Sequence, residues 1–294
     1  MSLTVSTTET QKHSPGEDPG QQVAVNMVIR QDPFNITLDA AALLAVSVLL
    51  VAGMHFIDRL VLEFMIIAVP ITLLIHNDYL NFLKLGPGGT PPTPAGYARL
   101  TWYRLFTLRD PFSPPDPDPT QLPSSGILRQ RSPLPYRPGP RPSVAGLAPQ
   151  RQLTQAGSLH AYNRLRAALE ALSAQSPQKF VTATSCLEKH GFALFSRHPV
   201  NVCGNGEVCH IHTSDRSMHM NLHPDDIKEI LEKGWGQRHP MAWKGWVRSP
   251  LPPTFTMIYA PRDESDLRIV CRIIEAAIWY TTAEQAEVPL GLEH

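Results

Sequence analysis

The stretch Glu207-Val208-Cys209-His210-Ile211-His212-Thr213-Ser214-Asp215-Arg216-Ser217-Met218-His219-Met220-Asn221-Leu222 decides how the folded part of this chain is built. Two short runs alternate apolar and polar residues, and residues 213–216 between them suit a turn, so the stretch reads as an antiparallel hairpin with strands at 207–212 and 217–222. Neighbouring side chains on a strand point to opposite faces. If the apolar sides of both strands meet the core, Cys209 and Ile211 share that face with Met218, Met220 and Leu222. His210, His212, His219 and Asn221 then gather on the other face, three imidazoles and an amide on one patch of sheet.

The flanking residues supply the rest of an α+β fold. Upstream, Leu159, Tyr162, Leu165, Leu169 and Leu172 recur at helical spacing until Pro177, and Phe180–Thr184 and Phe192–Ser196 read as strands. Downstream, His223 stands at the N-cap of a short helix that Pro224 opens, with Asp225 and Asp226 at its positive end and Gly234 closing it. Residues 254–259 alternate as a strand. Asp263 starts a last helix whose buried stripe is Leu267, Val270, Ile273, Ile274, Ala277 and Ile278. The expected domain is an antiparallel sheet covered by helices over 143–283, with 284–294 as a tail.

The N-terminal half is organised differently. Residues 1–34, rich in Ser, Thr, Gln and Gly, are expected to be disordered. Residues 35–76 hold two apolar stretches, 40–57 and 60–75, separated by Asp58 and Arg59; Glu63 and Pro70 interrupt the second. They read as a transmembrane anchor of one or two helices, which makes membrane lipid an expected partner. Lys84, Arg99, Arg104 and Arg109 follow closely, and the positive-inside bias places the C-terminal bulk in the cytosol. Residues 77–142 form a Pro-rich connector: 16 of the 29 prolines lie between Pro87 and Pro149, a density that suppresses regular helix and central strand. The connector reads either as a free spacer or as an extended arm lying on the domain, since Tyr97, Leu100, Trp102, Tyr103, Leu105 and Phe106 would otherwise be exposed, and a short helix is expected at roughly 95–107.

Charge narrows the function. With 26 basic and 26 acidic residues the chain lacks the basic surplus that duplex nucleic acid demands, so no nucleic-acid partner is expected. The four cysteines form no CxxC pair. They read as ordinary thiols, although Cys203 and Cys209 flank a Gly-Asn-Gly turn that a disulfide could close. No GxGxxG, P-loop or nucleophile elbow occurs, which leaves a bound dinucleotide without support.

The histidine patch admits three readings. His210, His212 and His219 could ligate a single Fe, Cu or Zn ion, with Asp215 near but no carboxylate at an obvious fourth position. They could instead carry out metal-free acid–base work near neutral pH, or form a polar sheet face satisfied by water. The run Lys233-Gly234-Trp235-Gly236-Gln237-Arg238-His239-Pro240 reads as a tight irregular loop. In it Trp235 can wall a pocket, Arg238 can hold an oxyanion, and His239 is fixed by the following proline. Tyr259 and Arg262 end a strand just before a helix, a common position for substrate contacts.

These motifs carry a resemblance. The hairpin histidines, the run from Ile230 through Pro240, and Tyr259-Ala260-Pro261-Arg262 are similar to the fungal luciferase family. So are Asn77-Asp78-Tyr79-Leu80-Asn81-Phe82-Leu83-Lys84-Leu85-Gly86-Pro87, Arg141-Pro142-Ser143 and Gln150-Arg151-Gln152. The resemblance implies a membrane-bound enzyme that adds O2, as co-substrate, to a 3-hydroxy-2-pyrone (3-hydroxyhispidin) without a metal or organic cofactor. The cyclic peroxide product loses CO2. It further implies His212 or His219 as the base, with His210 and His239 beside them, Arg238 steadying the pyronate, and Trp235, Asn221, Asp215, Tyr259 and Arg262 around the substrate. The luminous members carry a slightly longer turn with an additional histidine where this chain has residues 213–218, so the resemblance implies the oxygenase chemistry before it implies light. The expected function is a membrane-bound, cofactor-independent oxygenase of secondary metabolism acting on a small hydroxypyrone, polyketide or phenolic compound. Its rivals are a histidine–metal oxygenase or hydrolase and a non-catalytic, membrane-tethered ligand-binding module. The sequence leaves the oligomeric state open.

Overall fold

The computed structural model describes residues 40–56 and 58–291; the expected disordered segment 1–34 and the end of the tail lie outside the described residues. The chain divides into two compact units, and among the described residues the boundary falls between Gly86 and Pro87.

The N-terminal unit contains helices α1 (Ala40–Phe56) and α2 (Arg59–Lys84). Asp58 separates them because its carboxylate accepts the Leu60 N–H at 2.8 Å and caps α2. Pro70 does not break the helix. α2 passes through it and continues beyond residue 75 for 26 residues in all, a length of about 39 Å at ~1.5 Å per residue. Phe64, Ile66, Ile67, Ile71 and Ile75 on its surface are exposed. Among the described residues α2 is the one helix long and apolar enough to cross a membrane.

The second unit is built on a six-stranded sheet with spatial order β3-β4-β5-β6-β8-β7. Its strands are β3 (Phe180–Thr184), β4 (Phe192–Ser196), β5 (Glu207–Ile211), β6 (Met218–Asn221), β7 (Gly236–Arg238) and β8 (Phe255–Ile258), and every pairing is antiparallel. The hairpin register sets Cys209 opposite Met220, His210 opposite His219, and Ile211 opposite Met218. The apolar pairs face α7 (Glu264–Thr282), where Leu267, Val270, Ile273, Ile274, Ala277 and Ile278 are all fully buried. Each such aliphatic side chain contributes about 1.5–3 kcal/mol of burial, which makes this face the anchor of the domain. α5 (Leu159–Gln175) covers the neighbouring strands through Leu165, Leu169 and Leu172. Leu159, expected on the same stripe, is the first residue of α5 and is exposed.

One element departs from the sequence reading, and one open alternative is decided. The glycine-flanked tryptophan segment is no irregular loop: residues 236–238 form edge strand β7 on β8. Gly236 is required there, since a Cβ would lie 2.3 Å from the Met257 carbonyl oxygen. The Pro-rich segment packs onto the domain. It carries α3 (Pro94–Arg104) and α4 (Leu128–Arg131), and it donates Ile127, Leu128 and Leu134 to the core. Asp226 in α6 (Pro224–Glu232) fastens it by accepting the Ile127 and Leu128 N–H groups at 3.1 and 2.8 Å. A ribbon of β1 (Val144–Gly146) and β2 (Gln150–Gln152) completes the unit. The described cysteines are free thiols, including Cys203 and Cys209.

Candidate functional site

β5 and β6 turn three imidazoles to the side of the sheet opposite α7. His210 and His219 are cross-strand neighbours, and His212 follows β5 at the start of the turn. Their rings are 1–3 % exposed. His210 Nε2 and His212 Nε2 lie 3.1 and 3.0 Å from the same atom, His219 Nδ1.

The far nitrogen of each ring has its own partner. His210 Nδ1 lies 2.5 Å from Glu207 Oε1. Glu207 is deeply buried, which pushes its pKa up, but His210, Ser185 and Cys186 donate to it and the balance falls below the usual carboxylate value. It is therefore an acceptor, and His210 carries its proton on Nδ1. His212 Nδ1 lies 2.9 Å from Ser217 Oγ and 3.3 Å from Asp215 Oδ1. Ser217 donates its hydroxyl to Asp215 at 2.8 Å, so its oxygen accepts from His212 Nδ1. His219 Nε2 meets Gln150 Oε1 at 2.8 Å. Burial holds the pKa of His212 below the ordinary imidazole value and that of His219 well below it.

His210, His219, His239 and Gln150 line one wall of a cavity of about 450 Å³. Its remaining surface is largely apolar, with Leu100, Leu147, Leu187, Met241 and Phe255 among the lining residues and Arg99 and Lys189 as the cations. Phe255 stacks on His219 with ring centroids 5.3 Å apart. Gln150 Nε2 is buried without a hydrogen-bond acceptor among the described residues.

The other expected site residues divide sharply. His239 reaches the cavity, its ring 5.0 Å from that of His219. Its Nδ1 accepts the Met241 N–H at 3.0 Å, and burial lowers its pKa to about 3, so it serves as a neutral wall. Asp215 stands behind His212 and does not line the cavity. His212 itself lies one layer behind His210 and His219. Asn221 shares the histidine face but accepts the Thr254 hydroxyl at 2.6 Å. Arg238, expected to steady an anion, instead donates to the carbonyls of Ser113, Ala242 and Pro253 at 2.7–3.1 Å. Trp235 fills the core and donates Nε1–H to Pro135 O. The Tyr259 hydroxyl donates to Gln237 Oε1, and the Arg137 guanidinium lies over its ring. Arg262 pairs with Asp266 at 2.7 Å. None of these four lines the cavity, and Arg238 keeps one buried N–H, at Nε, without an acceptor among the described residues. Glu207, Ser217 and Gln150 are candidate-site residues that motif reading missed.

The description "Luciferase domain" fits residues 205–277, the segment from the first strand of the histidine hairpin into α7. Similarity extends much further. A luciferase of Neonothopanus nambi is 34 % identical over 238 residues, covering 75 % of this chain and 85 % of its own. Luciferases of Armillaria mellea and Armillaria gallica are 36 % and 35 % identical, covering 75 % and 74 % of this chain and 85 % of theirs. The chain belongs to the fungal luciferase family. No solved structure matches it. In this luciferase-family chain, the matched segment contains all three clustered histidines, Glu207 and Asp215, whereas Gln150 comes from outside it.

Proposed function

We propose that this chain is a membrane-bound oxygenase that adds O2 to a flat, ionisable hydroxypyrone or related phenolic or polyketide compound. The observation that carries the proposal is the wall of the cavity. Two imidazole edges, His210 and His219, and one unengaged amide donor, Gln150 Nε2, converge where the remaining surface is apolar. The cavity volume of about 450 Å³ falls within the roughly 300–1,000 Å³ of sites that enclose small organic ligands. Such a wall suits an aromatic ring presenting an acidic hydroxyl and an adjacent carbonyl.

The chemistry follows from ionisation. The histidine cluster takes up or neutralises the hydroxyl proton, and the resulting enolate is electron-rich enough to reduce O2. The enolate carbon supplies the electron pair of the new carbon–oxygen bond, so O2 is reduced by two electrons to a substrate-bound peroxide and the carbon is oxidised by two. The apolar lining excludes water that would quench the peroxide, and Gln150 donates to the carbonyl oxygen. α2 supplies the membrane anchor, and Lys84, Arg99, Arg104 and Arg109 hold the second unit on the cytosolic side.

The test uses the full chain in detergent with 3-hydroxyhispidin and simpler 3-hydroxypyrones, following O2 uptake, CO2 release and light together. Uptake of one O2 per pyrone, lost in His219→Ala with the fold retained, is the expected result. Pyrone binding without O2 consumption would identify a tethered binding module instead.

A further inference from the structure

We propose that His210 Nε2, His212 Nε2 and His219 Nδ1 form a three-imidazole site for one divalent first-row transition-metal ion on the cavity wall.

The case starts from the protons. His210 donates Nδ1–H to Glu207, and His212 donates Nδ1–H to Ser217, which is itself held by Asp215. Both Nε2 atoms therefore present lone pairs, and both are aimed at His219 Nδ1 at 3.1 and 3.0 Å. With Gln150 Oε1 accepting from His219 Nε2, the Nδ1 atom is a third lone pair. Even with its proton moved to Nδ1, His219 could satisfy only one of the two facing nitrogens. The neutral cluster is short of donors from the protein in either tautomer. A cation at the centre of the three atoms converts this repulsion into three bonds.

The dimensions fit. The candidate ligand atoms all lie within 4.8 Å of one another. Imidazole nitrogens bind zinc at ~2.0–2.1 Å, which for angles of 90–110° separates neighbouring donors by roughly 2.9–3.4 Å. Two of the three separations already fall in that span, and the third is within 4.8 Å.

The surroundings are those of a metal centre. Metal-bound imidazoles commonly donate their other N–H to a carboxylate, carbonyl or water, which fixes the ring and raises its basicity. Here each far nitrogen has such a partner, and two of the three lead to carboxylates, Glu207 and Asp215. Three neutral ligands and two outer carboxylates balance a dication. An all-nitrogen donor set disfavours calcium and magnesium, which take oxygen ligands, and suits Fe, Co, Cu or Zn. His210 and His219 border the cavity, so the open coordination positions would face the substrate. Resting on the oxygenase reading above, this names what the substrate offers the site: two adjacent oxygens, an ionised hydroxyl and a carbonyl, able to chelate the ion.

The experiment measures the metal first. Full-length protein purified in detergent without chelators is assayed for metal content, then stripped and titrated with Co(II) while visible absorption is followed. The expected result is about one ion per chain and a saturable Co(II) spectrum. His210→Ala, His212→Ala and His219→Ala should lose it, and His223→Ala, a buried histidine at the cap of α6, should keep it. Because an alanine at the cluster also removes buried hydrogen bonds that hold the fold, Glu207→Gln and Asp215→Asn provide the second arm. They keep all three ligands and should weaken Co(II) by about 10–100-fold. Metal-free protein as purified, together with a Co(II) spectrum unchanged in the three-histidine variants, overturns the proposal. The two readings part cleanly. Hydroxypyrone turnover by rigorously stripped protein defeats the metal site and spares the oxygenase; a stoichiometric site without turnover does the reverse.

Discussion

Asp215 offers the sharpest test of how the site is held together. It is 5 % exposed and accepts from the backbone N–H of Gln152, from Ser217 Oγ at 2.8 Å and from His212 Nδ1 at 3.3 Å. It thus ties the histidine turn to β2, the ribbon that also delivers Gln150 to His219. In Asp215→Ala the Gln152 N–H has no acceptor and the Ser217 hydroxyl must find a new one. Each buried unsatisfied group costs about 1–3 kcal/mol, and removal of one charged member of a buried network costs about 3–5 kcal/mol in all. For a domain of about 200 residues, 1 kcal/mol moves Tm by about 2–4 °C, so the variant should melt about 10 °C below the parent. Asp215→Asn keeps one acceptor for Gln152 and should fall about half as far.

The assay is thermal unfolding of the full chain in detergent with a chelator present, followed by tryptophan fluorescence. The chelator matters because any bound ion would add its own stabilisation to the parent. Equal melting of Asp215→Ala and the parent would show that the turn and β2 are held independently, and the account of the site as one network would fail. Asn as harmful as Ala would show that charge, not acceptor geometry, is what His212 requires.

Three further outcomes follow from the same contacts. Asp226 has its pKa raised to about 6, chiefly by burial, against an ordinary 3.8. A carboxyl raised in the folded state contributes stability that is present below pH ~4 and lost as pH climbs through ~6, an effect of about 3 kcal/mol. The stability of the parent relative to Asp226→Asn, measured by urea unfolding, should therefore decline between pH 4 and pH 7; a pH-independent difference would show Asp226 ionised throughout. Arg238→Met should lower stability by about 2–4 kcal/mol by leaving the Ser113, Ala242 and Pro253 carbonyls without their donor, while the KM for a hydroxypyrone stays within about twofold in the folded fraction. A selective rise in KM with stability intact would restore the anion-binding role. Gly236→Ala should cost about 2–4 kcal/mol, because its Cβ would press on the Met257 carbonyl across β7 and β8; unchanged melting would mean the edge strand yields freely.

What the sequence made legible was set by short-range periodicity. β3 and β4 are bounded as their alternation demands, and the apolar sides of β5 and β6 face α7 because a two-residue period admits no other choice once Ile211 and Met218 are buried. Glu207 and Gln150, outer partners of the histidines, escaped for two separate physical reasons. Glu207 stands three positions before His210, and strict alternation would put the two on opposite faces. The β4–β5 register slips by one residue, with Leu194 opposite Cys209 but Phe195 opposite Glu207, and this bulge turns Glu207 onto the histidine side. Gln150 arrives from a three-residue strand, too short to leave a periodic trace. For Trp235, Arg238, Tyr259 and Arg262 residue type alone does not reveal that their donors already meet a carbonyl, an amide oxygen or a carboxylate.

The Pro-rich segment teaches the same lesson about long range. Its prolines forbid long regular elements, and the lengths of α3 and α4 respect that limit. Proline density does not forbid packing, and Ile127, Leu128 and Leu134 enter the core through contacts with residues about a hundred positions away. Because those contacts run through buried Asp226 and Glu229 of α6, the segment is bound by charged acceptors as much as by apolar area. Thr90, Pro91, Arg99 and Tyr103 from the same segment also border the cavity. The segment that binds the domain through charged acceptors thus also contributes to the wall of the cavity on which the histidines stand.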